Sequence, residues 1–320
     1  MSNRCVVTGG AGFIGSNLVQ SLLAAGETRV TVIDNLITGH AKNLDGLDGA
    51  DLQKIDIRNF DAVVQALRGS EIVYHLAAIP SVPKSIADPV PSHECNIDGT
   101  FNVLRAAKQA GVRRVVYAAS SSAYGDTLVL PKVETMPSLP KSPYALQKLV
   151  GELYCNLFWH NFGLETVALR FFNVYGPKQD PLSPYSGVLS IFMRSILEGT
   201  QPTIHGDGLQ TRDFTYVEDV TGLLQKAAVA GPVALGKTYN AGNGGRFSLN
   251  EVWETLQNLT GVRIEAKYGA TRAGDVRDSQ ADTTAARRDL GHEPRFTLEE
   301  GLRRTFAWYK ANAATLVAAN

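Results

Sequence analysis

Up to about residue 175, short β-branched runs alternate with longer stretches of helical period: CVVT, RVTVID, LQKID, IVYHLA, RRVVYAAS and TVALRFF. This alternation predicts a parallel sheet whose right-handed crossovers lay helices on both faces, a doubly wound, Rossmann-like α/β domain. Phe101, Leu104 and Ala107 fall on one face of a helix expected between Asn96 and Gly111. A second long helix is expected to start at Ser142 as N-cap, with Pro143 in its first turn and Gly163 as its stop. Beyond about Tyr175 the rhythm changes. Loops rich in Pro and Gly (GPKQDPLSPYSG, HGDGLQTRD, GNGGRFS, GATRAGD) separate shorter elements, which predicts a smaller C-terminal α/β domain that covers a substrate.

Charge narrows the partners. Lys and Arg number 31 and so do Asp and Glu, so no basic field exists to hold nucleic acid or an anionic membrane. Any bound anion must be gripped locally. Cys5, Cys95 and Cys155 are odd in number and far apart, which argues against a disulfide framework and fits a reducing cytoplasm. No run approaches the roughly 20 apolar residues of a membrane span, and the first residues lack the pattern of a secretory leader.

Behind the first apolar run stands TGGAGFIG, which reads both as G-x-G-x-x-G (Gly10, Gly12, Gly15) and as G-x-x-G-x-x-G (Gly9, Gly12, Gly15). Either reading puts bare backbone amides at a helix N-terminus, where they and the helix dipole favour a pyrophosphate. No Lys-Ser or Lys-Thr follows, so a nucleoside-triphosphate loop is not expected. Asp34 ends the second apolar run, 19 positions after Gly15, where a carboxylate accepts hydrogen bonds from an adenosine ribose. Its charge repels a 2′-phosphate, and Asn35, Leu36 and Ile37 offer no cation, so the expected cofactor is NAD rather than NADP. Asp56 closes the third run, where its carboxylate reaches an adenine amine; a turn-forming Asp is the competing reading. His75-Leu76-Ala77-Ala78 ends the fourth run with small residues that let a ribose diphosphate cross the sheet edge, or that simply pack tightly.

In SPYALQK, Tyr144 and Lys148 stand four apart on one helical face. An ammonium near a phenol favours the phenolate and makes the tyrosine a usable base. The run Ser120-Ser121-Ser122 follows the fifth strand, at the carboxyl edge where open α/β sheets bind their ligands. Serines there are also ordinary turn residues, so the run gains meaning only beside the tyrosine.

Taken in order, TGGAGFIGSNL, VIDNL, HLAA, NIDGTFNVL, SSSAYGD, SPYALQK, LRFFNVYGP, GDGLQTRDFTYVEDV and RAGDVRDSQAD resemble the extended short-chain dehydrogenase/reductases, within them the nucleotide-sugar 4-epimerases, over essentially the whole chain. The resemblance implies NAD held by residues 1–175, with a return segment near 214–242, and a UDP-sugar held by 176–213 and 243–320. It assigns Ser120, Tyr144 and Lys148 to catalysis. Phe13, Ile14, Ile57 and Asn96 join the glycines on the cofactor side, with Asn96 supporting the active-site backbone. Phe171, Asn173 and Val174 would border nicotinamide and sugar diphosphate, and Ser81, Ser121, Ser122, Gly187 and Val188 the substrate. Arg212, Arg272 and Asp275 would clamp diphosphate and uridine ribose, and guanidinium groups do bind phosphate oxygens in pairs.

The implied reaction is transient oxidation of the sugar at C4 to a ketone, rotation of the keto sugar, and reduction on its other face. Related 4,6-dehydratases carry Thr-Asp-Glu where this chain has Ser120-Ser121-Ser122, and related decarboxylases also place an acid there, so epimerisation is the reaction expected. The position of Ser279 faces the sugar C2 substituent in the resembled family. A small residue there leaves room for an N-acetyl group. Pro80 and Ser81 stand where plain-hexose epimerases often carry Lys-Ala, and Lys84 is a candidate partner for a uronic carboxylate, or an exposed lysine. A homodimer paired through helices near 92–110 and 142–162 is the family expectation. No metal site is expected, and an idle NAD-binding sensor or scaffold is the competing class.

Overall fold

The computed structural model describes residues 5–180, 187–271 and 276–312. Seven parallel strands form the central sheet: β1 (Cys5–Thr8), β2 (Val30–Asp34), β3 (Ala50–Lys54), β4 (Ile72–His75), β5 (Arg114–Ser120), β6 (Glu165–Phe171) and, far along the chain, β7 (Lys237–Ala241). Their order is β7-β6-β5-β4-β1-β2-β3. The order reverses between β1 and β4, and at such a switch point the loops part and leave a crevice at the carboxyl ends of the strands. The doubly wound sheet read from the alternation is therefore the fold observed.

Two apolar layers cover the sheet. On one side α1 (Phe13–Ala24) and α2 (Val217–Val229) bury Leu18, Val19, Leu223 and Leu224 against Val7, Val32 and Leu169. On the other, α3 (Phe60–Leu67), α4 (Thr100–Gln109) and α5 (Pro143–Phe162) bury Val63, Leu104 and Phe158 against Val6, Val73 and Val115. Strands buried on both faces read as continuous apolar runs, and for that reason their pattern was legible.

Helix α5 begins and ends as its sequence dictates. The Ser142 side chain accepts from the Ala145 amide, Pro143 opens the first turn, and Gly163 closes the helix in the left-handed conformation at φ 64°. The helix expected over 96–111 differs. Residues Glu94–Gly99 form a π-turn that leads into α4, which starts at Thr100. Such turns arise where a side chain is drawn out of helical register, and they cluster at functional sites.

A third core belongs to the remaining segments, where Phe192, Trp253, Leu256 and Leu302 pack together with Tyr175 and Tyr216. Short strands here link distant stretches: Thr211–Arg212 pairs with Phe247–Ser248, and Phe214–Tyr216 with Asn173–Tyr175. The Asp213 carboxylate lies at this junction, accepting from the amides of Asn243, Gly244 and Ala281. No helix among the described residues is long and apolar enough to cross a membrane.

Candidate active site

A cleft of about 1010 Å³ opens at the switch point. Its floor is the glycine turn. Gly9 has φ +70°, a conformation that costs glycine little and other residues more, and a Cβ there would lie 2.7 Å from the Ala77 amide nitrogen. A Cβ on Gly15 would lie 2.1 Å from the Gly9 carbonyl oxygen, so only glycine lets α1 start this close to the turn. Gly12 caps α1 without any side-chain hydrogen bond, which leaves the first amides of the helix open to an anion.

Asp34 supplies the wall beside this turn. Its carboxylate accepts from Ala11 N at 3.0 Å and from Leu36 N at 2.8 Å. An ionised carboxylate accepts about four hydrogen bonds, so two positions remain for ribose hydroxyls. Uncapped helix amides, glycine-only approach and an acidic ribose acceptor together fit a dinucleotide without a 2′-phosphate.

The reactive side chains stand on the opposite wall. Ser120 ends β5, and its hydroxyl oxygen accepts from the Ser122 amide at 3.2 Å and from the Ser122 hydroxyl at 2.9 Å. With both lone pairs engaged, its own proton is free to donate towards the Tyr144 oxygen, the side-chain bond that pulls the phenol downward. Tyr144 is held from behind. Its amide donates to the Ser85 hydroxyl at 3.1 Å, and that hydroxyl donates to the Val82 carbonyl.

Lys148 is nearly fully buried and donates to the Ala118 carbonyl at 2.8 Å, with its ammonium 5.0 Å from the centre of the Tyr117 ring. Burial pushes it down to about 8. The spacing argument expects Lys148 to pull the Tyr144 phenol down, and here the structure differs. Burial pushes Tyr144 up, the Ser120 hydrogen bond offsets only part of that, and the Lys148 ammonium donates to the Ala118 carbonyl. Spacing of four brings the two residues to one face but does not set where the long lysine chain ends.

Asn96 sits inside the π-turn and acts on backbone. Its Oδ1 accepts from the Ile79 amide at 2.8 Å, while its Nδ2 donates to the Ile79 carbonyl and to Gln147 Oε1. Beneath, His75 joins the Thr8 and Thr100 hydroxyls at 2.7 and 3.0 Å, and burial pushes its imidazole down to about 3, so it is neutral.

The structure brings most of the expected residues to this cleft: Gly9, Gly12, Phe13, Ile14, Gly15, Asp34, Asn35, Ile57, Leu76, Ala77, Ala78, Ser81, Lys84, Ser120, Tyr144, Lys148, Phe171, Val174 and Gly187 line it. Asp56, expected to meet the adenine amine, is not on the cleft wall itself. Its carboxylate takes Arg58 at 2.9 Å and Asn35 Nδ2 at 3.0 Å, and the Arg58 hydrogen bonds hold it at about 2. Asn96, Ser121, Ser122, Asn173, Val188, Arg212 and Ser279 are not on the wall itself. Arg212 donates to the carbonyls of Thr211 and Arg277, and Ser279 is buried on the same ledge, its amide donating to the Thr211 carbonyl. Arg272 and Asp275 lie outside the described residues.

Sequence reasoning passed over Lys178, His40 and Asn43, which also line the cleft. The Lys178 ammonium donates to the Asn43 carbonyl at 2.9 Å and to Gln20 Oε1 at 3.2 Å, tying the segment after Tyr175 to the region around α1. The GPK that follows NVY was the available signal. Among the described residues no cluster of His, Cys, Asp and Glu could hold a metal ion.

An NAD-binding crevice facing a Ser, Tyr and Lys at the ends of β5 and α5 defines a class of enzyme, and residues 5–242 match the NAD dependent epimerase/dehydratase family, to which the chain belongs. It is an enzyme of the epimerase type, an isomerase, and its cofactor is NAD. The chain is 38% identical over 314 residues to the UDP-glucose 4-epimerase of Mycolicibacterium smegmatis, covering 96% of this chain and 98% of that one. It superposes with a TM-score of 0.92 and 36% identity on the UDP-N-acetylglucosamine 4-epimerase of Methanobrevibacter ruminantium M1 in complex with UDP-N-acetylmuramic acid, covering 97% and 99% of the two chains. Against the UDP-glucuronic acid 4-epimerase of Bacillus cereus, solved with UDP-glucuronic acid and NAD, the TM-score is 0.90 at 31% identity, covering 96% and 99%.

Proposed function

We propose that this chain is an NAD-dependent 4-epimerase of UDP-hexoses that accepts UDP-GlcNAc and UDP-GalNAc as well as UDP-glucose and UDP-galactose, through a transient 4-keto sugar. The observation that carries the reading is the convergence of Ser120, Tyr144 and Lys148 on the wall opposite the glycine turn. When bound, NAD would supply the acceptor and the returning source of the C4 hydride. Gly9, Gly12, Gly15 and Asp34 would hold its diphosphate and ribose, and Phe171 and Val174 would border the ring.

The residues' own work is proton transfer and orientation. Tyr144 takes the proton of the sugar 4-hydroxyl and later returns it, while Ser120 donates to the same oxygen and keeps it aimed at the base. Lys148 holds a positive charge behind both. Arg212, Arg272 and Asp275 would clamp the diphosphate and uridine ribose, so that the keto sugar could turn while its anchor stays. Asn173, Gly187 and Val188 would flank the sugar. In this reading residues 1–175, with a return segment near 214–242 that contains β7, serve NAD, and 176–213 with 243–320 serve the UDP-sugar. The partner we infer is a second copy of the chain, because Leu146, Leu153 and Leu157 form an exposed apolar stripe on α5.

A second reading, a UDP-uronic acid substrate, draws support from Lys84 on the cleft wall near Ser81. One rate comparison separates the two. Wild-type protein is expected to interconvert UDP-GlcNAc and UDP-GalNAc at least as fast as the plain hexoses. Ser279→Tyr is expected to lose the acetylated pair by about tenfold or more while keeping the plain pair, because in this reading the added bulk would fill the space left for the C2 substituent. Equal loss on both classes removes Ser279 from sugar selection, and turnover of UDP-glucuronic acid alone favours the second reading.

A further inference from the structure

One turn beyond Lys148 on the same buried face of α5 lies Glu152, a carboxylate with only 4% exposure. Arg170 of β6 grips it from Nε at 3.0 and 3.1 Å and from Nη2 at 2.7 Å. Lys148 bonds to Ala118 of β5, and in the register of β5 with β6 Ala118 and Ala119 stand opposite Leu169 and Arg170. Lys148 thus reaches from α5 to β5, while Arg170 reaches from the neighbouring strand β6 to Glu152, one helical turn further along α5. Arg170 also sits over Tyr124, its guanidinium carbon 4.4 Å from the ring centre, and donates to the Ser138 hydroxyl. Its Nη1 is buried without a hydrogen-bond partner, an expensive arrangement for a group whose only task is to pin a helix.

We propose that Glu152, locked by Arg170, is a positioning carboxylate that keeps Lys148 in its charged form behind the reactive tyrosine. The argument rests on the assignment of Lys148 above and on what else surrounds it. From α5 itself come Tyr144, Glu152 and Cys155; from the π-turn, Cys95; from β5, Tyr117; from β4, His75. Burial holds both thiols protonated, pushing Cys95 up to about 11 and Cys155 further, and it does the same to the Tyr117 phenol. His75 is neutral. Among the described residues Glu152 is therefore the group facing Lys148 that can carry negative charge at neutral pH. Burial pushes Glu152 up as well, and the hydrogen bonds of Arg170 are the largest force against that. Without Arg170 the carboxyl is pushed further towards its protonated form, which weakens the anion facing Lys148.

The sign follows directly. An ammonium that loses a nearby carboxylate gives up its proton at lower pH. The readout is the titration of Lys148 followed by NMR of protein carrying ¹³C-labelled lysine, with the resonance assigned by its absence in Lys148→Met. Wild type is expected to titrate near 8. Glu152→Gln is expected to titrate about one pH unit lower, a tenfold change in the dissociation constant. Glu152→Gln alone risks a poorly folded chain, since it strands the buried Arg170 charge. The pair Glu152→Met with Arg170→Met removes both charges and is expected to recover thermal stability while keeping the lowered titration. Arg170→Lys retains a cation and is expected to restore the wild-type value. With the NAD-loaded enzyme, the alkaline limb of kcat/KM should move down in step. An unchanged Lys148 titration in the double Met variant overturns the proposal and reduces the pair to a structural one. A lowered titration in a protein that turns over no UDP-sugar leaves the inference standing and sinks the functional reading instead.

Discussion

Tyr144→Phe is expected to reduce epimerisation by about 10³-fold, in the range that a positioned general base contributes, while leaving fold and NAD content unchanged. The phenol points into the cleft, and the two bonds that place the residue run from its amide to Ser85 and through the cap at Ser142, so removing the hydroxyl breaks neither. Ser120 loses an acceptor but keeps both of its donors from Ser122. Thermal melting and the amount of NAD carried through purification should therefore match wild type. The effect should appear in kcat, because the lost proton transfer belongs to the transition state and not to substrate binding. A rate within tenfold of wild type would take the base assignment away from Tyr144.

Gly15→Ala is expected to strip the protein of NAD. The added Cβ would meet the Gly9 carbonyl oxygen at 2.1 Å and Gly10 Cα at 2.7 Å, both backbone atoms that no rotamer can move aside. Overpacking of this kind costs about 1–3 kcal/mol in ordinary cores, and here the strain falls on the turn that must cradle a diphosphate. About 3 kcal/mol at the cradle alone weakens the dinucleotide by roughly 100-fold. Gly222→Ala in α2 is the control, because a Cβ there meets nothing within 4 Å and the helix gains from alanine. Calorimetric titration with NAD reads both. Equal affinity for the Gly15 variant and its control would contradict the role given to the glycine turn.

The parts of the site legible from sequence are those whose chemistry is local. A glycine turn, an acid at a strand end and a Tyr-Lys pair on one helical face each depend on residues within a few positions of one another, and periodicity places them. The missed features depend on partners that only the fold brings together. Glu152 and Arg170 are 18 residues apart and meet because α5 packs over β6. The π-turn at Glu94–Gly99 has no local signal, since Asn96 is drawn to Ile79 and Gln147 by tertiary hydrogen bonds. Asp34 reads as a ribose acceptor, but its bond to Ala11 N, which stiffens the glycine turn, could not be seen in spacing. The effect of burial on the Tyr144 phenol is hidden from spacing for the same reason. Burial, not a neighbouring charge, dominates that environment, and burial is a property of the assembled cleft.

The central claim is that C4 of the sugar is oxidised and reduced within one closed cleft while Tyr144 moves the hydroxyl proton. Turnover of UDP-GlcNAc deuterated at C4, in ordinary water, addresses it most directly. The account expects UDP-GalNAc that still carries deuterium at C4, with NAD retained by the protein throughout. Product whose C4 deuterium has been replaced from water would contradict it.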